Sequence, residues 1–228
     1  VKKVLLSWSS GKDSAWTLHV LRKMPDVEVV GLLTTFNEQF DRVAMHAVRR
    51  SLVEAQADAT SLTLRSIPLP WPCPNDRYEA LMAEACRAAV TEGIDAIAFG
   101  DLFLRDIRAY REKQLAGTGL EPMFPLWEIP TANLAREMIR GGLRARLTCV
   151  DPRVLAKEFA GREFDEELLA DLPPGVDPCG ENGEFHSFVY AGPMFEREIR
   201  VRNGDVVERD GFVFADLESH VETHADAR

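Results

Sequence analysis

Ser9-Ser10-Gly11-Lys12-Asp13-Ser14 sets hydroxyls, a glycine, an ammonium and a carboxylate side by side. The run follows the apolar Val4-Leu5-Leu6. It precedes an amphipathic stretch in which Ala15, Trp16, Leu18, Leu21 and Met24 are apolar. A strand, a small-residue loop and a helix in that order form an anion cradle. Free N–H groups converge at the helix N-terminus, the dipole adds partial positive charge, and small residues admit close approach. The loop is not a Walker A loop, because Leu6 stands where that motif needs glycine and Asp13 where it needs Ser or Thr. The alternative is an ordinary Ser/Gly turn with a solvated lysine.

Two more clusters hold reactive side chains. Gly100-Asp101 leads through Arg108 and Glu112 to Gly119-Leu120-Glu121-Pro122 and Leu126-Trp127. Asp101 at a strand end can hold Mg2+ or orient water, and Arg108 can clamp a phosphate. Asp101 capping the next helix beside a solvated Arg108 is the competing reading. The second cluster is Asp177-Pro178-Cys179-Gly180-Glu181-Asn182-Gly183-Glu184-Phe185-His186-Ser187. Glycines permit close ligand approach, and paired carboxylates can bind a cation or act as acid and base. An exposed acidic turn before a strand is the alternative.

The elements that must position these residues alternate. After the first strand, 27–35 and 62–69 read as buried strands, 44–58 as a helix, and 94–100 as a fourth strand. Asn75 is placed to cap a helix with Tyr78, Leu81, Met82, Ala85, Cys86, Ala89 and Val90 apolar, which Gly93 stops. This alternation predicts an α/β fold with a Rossmann-like parallel sheet flanked by helices. Ligands in such sheets bind beyond the C-terminal strand ends, where the first loop and Asp101 both fall. After Trp127 the texture changes to a helix over 131–140 and strands over 145–150, 185–190, 197–202, 205–209 and 212–215. Asn203-Gly204 predicts a hairpin and Asp210-Gly211 a second turn. The expected division is therefore 1–127 as a nucleotide-binding domain and 128–228 as a smaller substrate-binding α+β domain, with 218–228 a frayed end.

The chain has 228 residues, net charge −10, 46% hydrophobic and 28% charged residues, as in globular domains. The acidic balance argues against a nonspecific nucleic-acid binder. No apolar run approaches the ~20 residues that span a bilayer, and no secretory leader is visible, so a cytoplasmic protein is expected. Cys73, Cys86, Cys149 and Cys179 lack C-x-x-C spacing, which offers little for zinc or iron–sulfur. His19 reads as packing or surface. His46 follows a strand end near the nucleotide, His220 and His224 have helical metal-pair spacing on a polar tail, and Trp71 and Trp127 read as packing anchors.

The first run resembles the Ser-Gly-Gly-Lys-Asp-Ser loop of the N-type ATP pyrophosphatases, with Ser10 in place of a glycine. Together with Gly100-Asp101, Arg108, Glu112, Gly119-Leu120, Pro122 and Leu126-Trp127, and with Cys179-Gly-Glu-Asn-Gly-Glu184 through Gly192-Pro193-Met194-Phe195, the chain resembles the diphthine–ammonia ligase family. The resemblance implies cleavage of ATP to AMP and pyrophosphate, adenylation of a carboxylate and its amidation by ammonia. It implies ATP contacts from Ser9, Ser10, Gly11, Lys12, Asp13, Ser14, Gly100, Asp101 and Arg108. Lys12, Asp101, Glu181 and Glu184 would carry catalysis, with Mg2+ on Asp101. Glu112, Glu181, Asn182, Gly183, Glu184 and His186 would contact the acceptor. Asn182, Phe185, His186 and Ser187 depart from the family's usual Gly, Tyr, Glu and Thr. His186 in place of a carboxylate changes what the pocket can hold. Expected partners are ATP, ammonia, a carboxylate acceptor on a protein or small molecule and, in a homodimer, a second copy. Other outcomes are a related enzyme acting on a corrinoid or metabolite carboxylate, tRNA thiolation, and a non-catalytic ATP-binding protein.

Overall fold

The computed structural model describes residues 1–39, 41–43 and 48–219. His46, His220, His224 and the start of the helix expected over 44–58 lie outside them.

The hydrophobic run of β1 (Lys2–Ser7) needs cover on both faces, and it becomes the centre of a largely parallel sheet. It pairs in parallel with β2 (Val27–Asn37) on one side and β5 (Ala96–Ala98) on the other. β4 (Leu64–Leu69) joins β2 in parallel, the short β3 (Arg42–Val43) runs antiparallel to the end of β2, and β6 (Glu121–Met123) extends the sheet beyond β5. The chain thus winds outward from β1 to β2 and β4, then crosses back to β5. The strand order reverses between β1 and β5, and a crevice opens beyond the ends of those two strands.

The helices are α1 (Lys12–Leu21), α2 (Arg50–Thr60), α3 (Asn75–Thr91) and α4 (Arg105–Leu115). Asn75 is the first helical residue of α3 and Pro74 holds the N-cap position, so Asn75 does not cap it. Neither Asp13 nor Asp101 caps a helix either: the N-caps of α1 and α4 are Gly11 and Leu104.

α5 (Thr131–Arg140) keeps its predicted bounds and buries Leu134, Ala135 and Met138 on one stripe. Then β7 (Arg144–Val150), α6 (Glu166–Asp171), β8 (Phe185–Ala191), β9 (Val201–Arg209) and β10 (Phe212–Ser219) follow. The four strands form an antiparallel sheet in the order β8-β7-β10-β9. β9 is continuous through Asn203-Gly204, so the hairpin expected there is absent. The Asn203 side chain accepts from Arg146 and donates to the Gly161 carbonyl, which uses its polar groups across the sheet instead of in a turn. The β9–β10 turn is Asp210-Gly211, both at positive φ (53° and 81°), as tight hairpins of this hand require.

One hydrophobic cluster crosses the position where a domain boundary is expected. It joins Val4, Leu6, Trp8 and Trp16 to Leu147, Phe188, Met194 and Val213. The Arg22 guanidinium donates to the Thr60 and Met194 carbonyls, tying α1 and α2 to the second half. Among the described residues no helix is long and apolar enough to cross a membrane.

Candidate functional site

Three segments meet beyond the ends of β1 and β5: residues 9–14, 100–111 and 179–187. They line a cleft of about 240 Å³ that includes Ser9, Gly11, Lys12, Asp13, Ser14, Gly100, Asp101, Glu181 and His186. Glycine is required where main chains touch. A Cβ on Gly100 would stand 2.9 Å from the Asp13 main chain, and one on Gly180 2.8 Å from the Phe185 carbonyl.

The first loop is braced internally. The Ser14 hydroxyl donates to the Gly11 carbonyl (3.0 Å) and lies 3.1 Å from the Ser9 hydroxyl. Ser10 adopts φ 71°, the left-handed region that a glycine enters without strain. The Lys12 main-chain N–H donates to the Ser187 hydroxyl at 3.2 Å. Its ammonium, 2% exposed as a residue, donates to the Asp13 carboxylate (2.8 Å) and the Cys179 carbonyl. It also lies 5.4 Å from the Phe185 ring centroid and 5.7 Å from that of Phe164. Burial is the largest influence on Lys12 and opposes its charge, but Asp13, Cys179 and Glu181 together outweigh it and hold the pKa above the usual lysine value.

Asp101 stands across the cleft, 3.7 Å from the Arg111 guanidinium, an ion pair too long for a hydrogen bond. Burial pushes its carboxyl up, and the Arg111 charge opposes that. Among the described residues, Asp13 Oδ1 and Asp101 Oδ2 are buried without a hydrogen-bond partner. Glu181 accepts the Leu102 N–H at 2.8 Å, linking the third segment to the second. Burial raises its pKa to about 7 against that hydrogen bond, with the Asp13 charge adding to the rise. His186 lines the cleft with its pKa lowered to about 4 by burial, then by the Lys12 charge.

Not every expected residue reaches this cleft. Arg108 pairs with Glu112 along α4 (2.8 Å) and lies 4.7 Å from the ring centroids of Phe124 and Trp127. The helix face that meets the cleft carries Leu104, Ile107 and Arg111 instead. Their three- and four-residue spacing was the signal for Arg111. Glu184, 6% exposed, accepts the Asp177 N–H and the Asn182 side-chain amide (both 3.0 Å), bracing the turn from beneath. Asn182 is exposed, and Gly183 sits at φ 89° in the same turn. Ser187 and the Cys179 carbonyl, inside the motif yet not singled out from sequence, hold the first loop.

A second cavity of about 540 Å³ adjoins the cleft. Trp8, Leu33, Leu69, Met82 and Cys86 line it, and Ser7, Ser9, Phe99 and Arg111 border both spaces. A polar crevice at a strand-order reversal, opening into an apolar pocket, has the geometry that suits an anionic ligand with an apolar moiety.

Comparison with known proteins finds the following similarities. Residues 130–221 match the diphthamide synthase C-terminal domain. A diphthine–ammonia ligase of Bos taurus is 26% identical over 94% of this chain and 90% of its own length. The Homo sapiens protein of that name is 29% identical over 66% of this chain and 60% of its own, and the Danio rerio one 30% over 54% and 50%. Among solved structures, the U34-tRNA thiolase NcsA from Methanococcus maripaludis overlays at a TM-score of 0.38, with 17% identity over 60% of this chain and 55% of that one. Over these spans the chain is similar to the diphthine–ammonia ligases.

Proposed function

We propose that the protein is an ATP-dependent amidating ligase. The observation that carries this reading is the meeting of residues 9–14, 100–111 and 179–187 in one cleft, held together by Lys12, Ser187 and Glu181. The triphosphate lies over the N-terminus of α1, where loop amides, the Ser9 and Ser14 hydroxyls and Lys12 face the cleft, and the nucleoside enters the adjoining apolar pocket. A phosphate oxygen displaces the Cys179 carbonyl as acceptor for the Lys12 ammonium. Asp13 Oδ1 and Asp101 Oδ2, buried with no hydrogen bond, would hold Mg2+, which takes one or two carboxylates beside phosphate oxygens and would neutralise phosphate charge.

A substrate carboxylate oxygen attacks the α-phosphorus, and the bond to the leaving pyrophosphate breaks. The helix dipole and Lys12 stabilise the growing negative charge on that leaving group. Ammonia then attacks the acyl carbon and AMP departs. Glu181 takes the proton that the nitrogen sheds, a task suited to a carboxylate near pKa 7. Arg111 holds Asp101 in place, and Glu184 shapes the turn that presents Glu181.

The names of the relatives make diphthine the first acceptor to test. A specific observation favours a second acceptor class: the half-buried imidazole of His186, neutral at pH 7, lines the cleft and offers no charge to a trimethylammonium group. The test is incubation with ATP, Mg2+, ammonium and either diphthine-bearing protein or small carboxylic acids, scoring AMP and pyrophosphate. ADP and phosphate as products reject the bond cleavage. An acceptor profile unaltered by His186→Glu rejects His186 as a reader of the acceptor.

A further inference from the structure

Gln56 sits in the middle of α2 among the buried Leu52, Val53, Ala57, Ala59 and Thr60, and is itself 0% exposed. Burying a carboxamide costs free energy unless every polar atom finds a partner. Here they do. The Trp8 indole N–H donates to Gln56 Oε1 at 2.8 Å. Gln56 Nε2 donates to the carbonyls of Ser10 (3.0 Å) and Val189 (2.6 Å). The partners fix the orientation of the amide: an indole can only donate and a carbonyl can only accept.

The Ser10 carbonyl receives a second donor, the Val189 N–H of β8, at 3.1 Å. Both of its lone pairs are therefore engaged on the side of α2 and β8. The peptide unit is planar and trans, so the N–H of Gly11 points the opposite way from that carbonyl. That way lies the cleft, which Ser9 and Gly11 line, and the only contact of this N–H among the described residues is a long 3.4 Å approach to the Ser9 hydroxyl. We infer that Gln56 is a positioning residue that aims the Gly11 N–H at an anionic oxygen, by anchoring the reverse side of the same peptide unit. It also fixes β8, and with it His186 and Ser187, against the phosphate loop. The inference rests on the reading of residues 9–14 as a phosphate cradle.

The test uses the whole chain and two probes, inorganic pyrophosphate for the loop and AMP for the apolar pocket, both measured by calorimetry. Gln56→Met keeps the volume and removes the donors. It is expected to weaken pyrophosphate binding roughly tenfold, the scale of one hydrogen bond to a charged group, while AMP binding stays within about twofold. Equal weakening of both probes, or unchanged pyrophosphate affinity, overturns the role of Gln56 and leaves the cradle intact. No pyrophosphate binding by the unsubstituted protein overturns the cradle as well. Should Gln56→Met fail to fold, the unsubstituted protein decides by amide NMR: pyrophosphate is expected to shift the Gly11 N–H resonance, and a stationary Gly11 resonance overturns the inference.

Discussion

The ammonium of Lys12 donates to the main-chain carbonyl of Cys179, 167 residues further along the chain. One buried cation thus ties the loop of residues 9–14 to the acidic turn at residues 179–184. A lysine placed only to hold phosphate would need no such partner. This one also bridges the first half of the chain to the second.

Lys12→Ala is expected to damage both roles. Loss of one donor to a developing oxyanion slows such steps by roughly 100-fold or more, so AMP release should fall on that scale. The substitution also strands the Asp13 carboxylate and the Cys179 carbonyl, and breaking a buried ion pair costs about 3 kcal/mol. Urea unfolding alongside an AMP assay separates the effects. Unchanged turnover would remove Lys12 from the chemistry, and an unchanged urea midpoint would remove it from the brace.

The meeting of residues 9–14 with Asp101 was legible because strand, loop and helix follow one another locally and strand ends face one crevice. Arg108 and Arg111 were not distinguishable without the fold. Arg108 turns from the cleft to pack on Phe124 and Trp127, which the local pattern of α4 does not contain. Glu181 and Glu184 looked alike in sequence, and the turn sends one to the cleft and the other beneath it. Gln56 was invisible because its partners lie 46, 48 and 133 residues away.

Glu181 should make activity and stability respond to pH in opposite senses. Its folded pKa, about 7, lies above the ordinary carboxylate value of 4.5, chiefly through burial. A raised carboxyl contributes its stability in full below pH 4.5 and loses it as pH rises through 7. A proton acceptor gains activity over that same rise. Glu181→Gln keeps the acceptor for the Leu102 N–H and removes the titration. The urea midpoint of the unsubstituted protein should therefore fall relative to the variant between pH 4.5 and 7. The ratio of their amidation rates should climb through pH 7. A ratio flat across pH 6 to 8 would deny Glu181 the proton.

His186 predicts an acid limb. Burial holds its pKa near 4, below the ordinary 6.5, so the unfolded chain binds the proton first. The stabilising contribution is present above pH 6.5 and is lost as pH falls towards 4. His186→Gln, neutral at every pH, should shed this slope, read as a thermal midpoint falling less between pH 6.5 and 4 than in the unsubstituted protein. Parallel curves for the two proteins would mean the imidazole is protonated in the folded state.

Ser10→Gly tests whether the loop stores strain. Left-handed backbone costs a residue with a Cβ about 1–2 kcal/mol, and glycine loses about 0.5–1 kcal/mol of that gain to unfolded-state entropy. The Ser10 hydroxyl is buried with no hydrogen-bond partner among the described residues, and deleting such a group returns about 1 kcal/mol. The sum favours the variant by roughly 1–2.5 kcal/mol, visible as a raised urea midpoint. Pyrophosphate affinity should hardly change, because Gln56 and Val189 still grip the carbonyl of residue 10. A lowered midpoint would show that the hydroxyl has found a partner, and weakened pyrophosphate binding would show that it touches the anion itself.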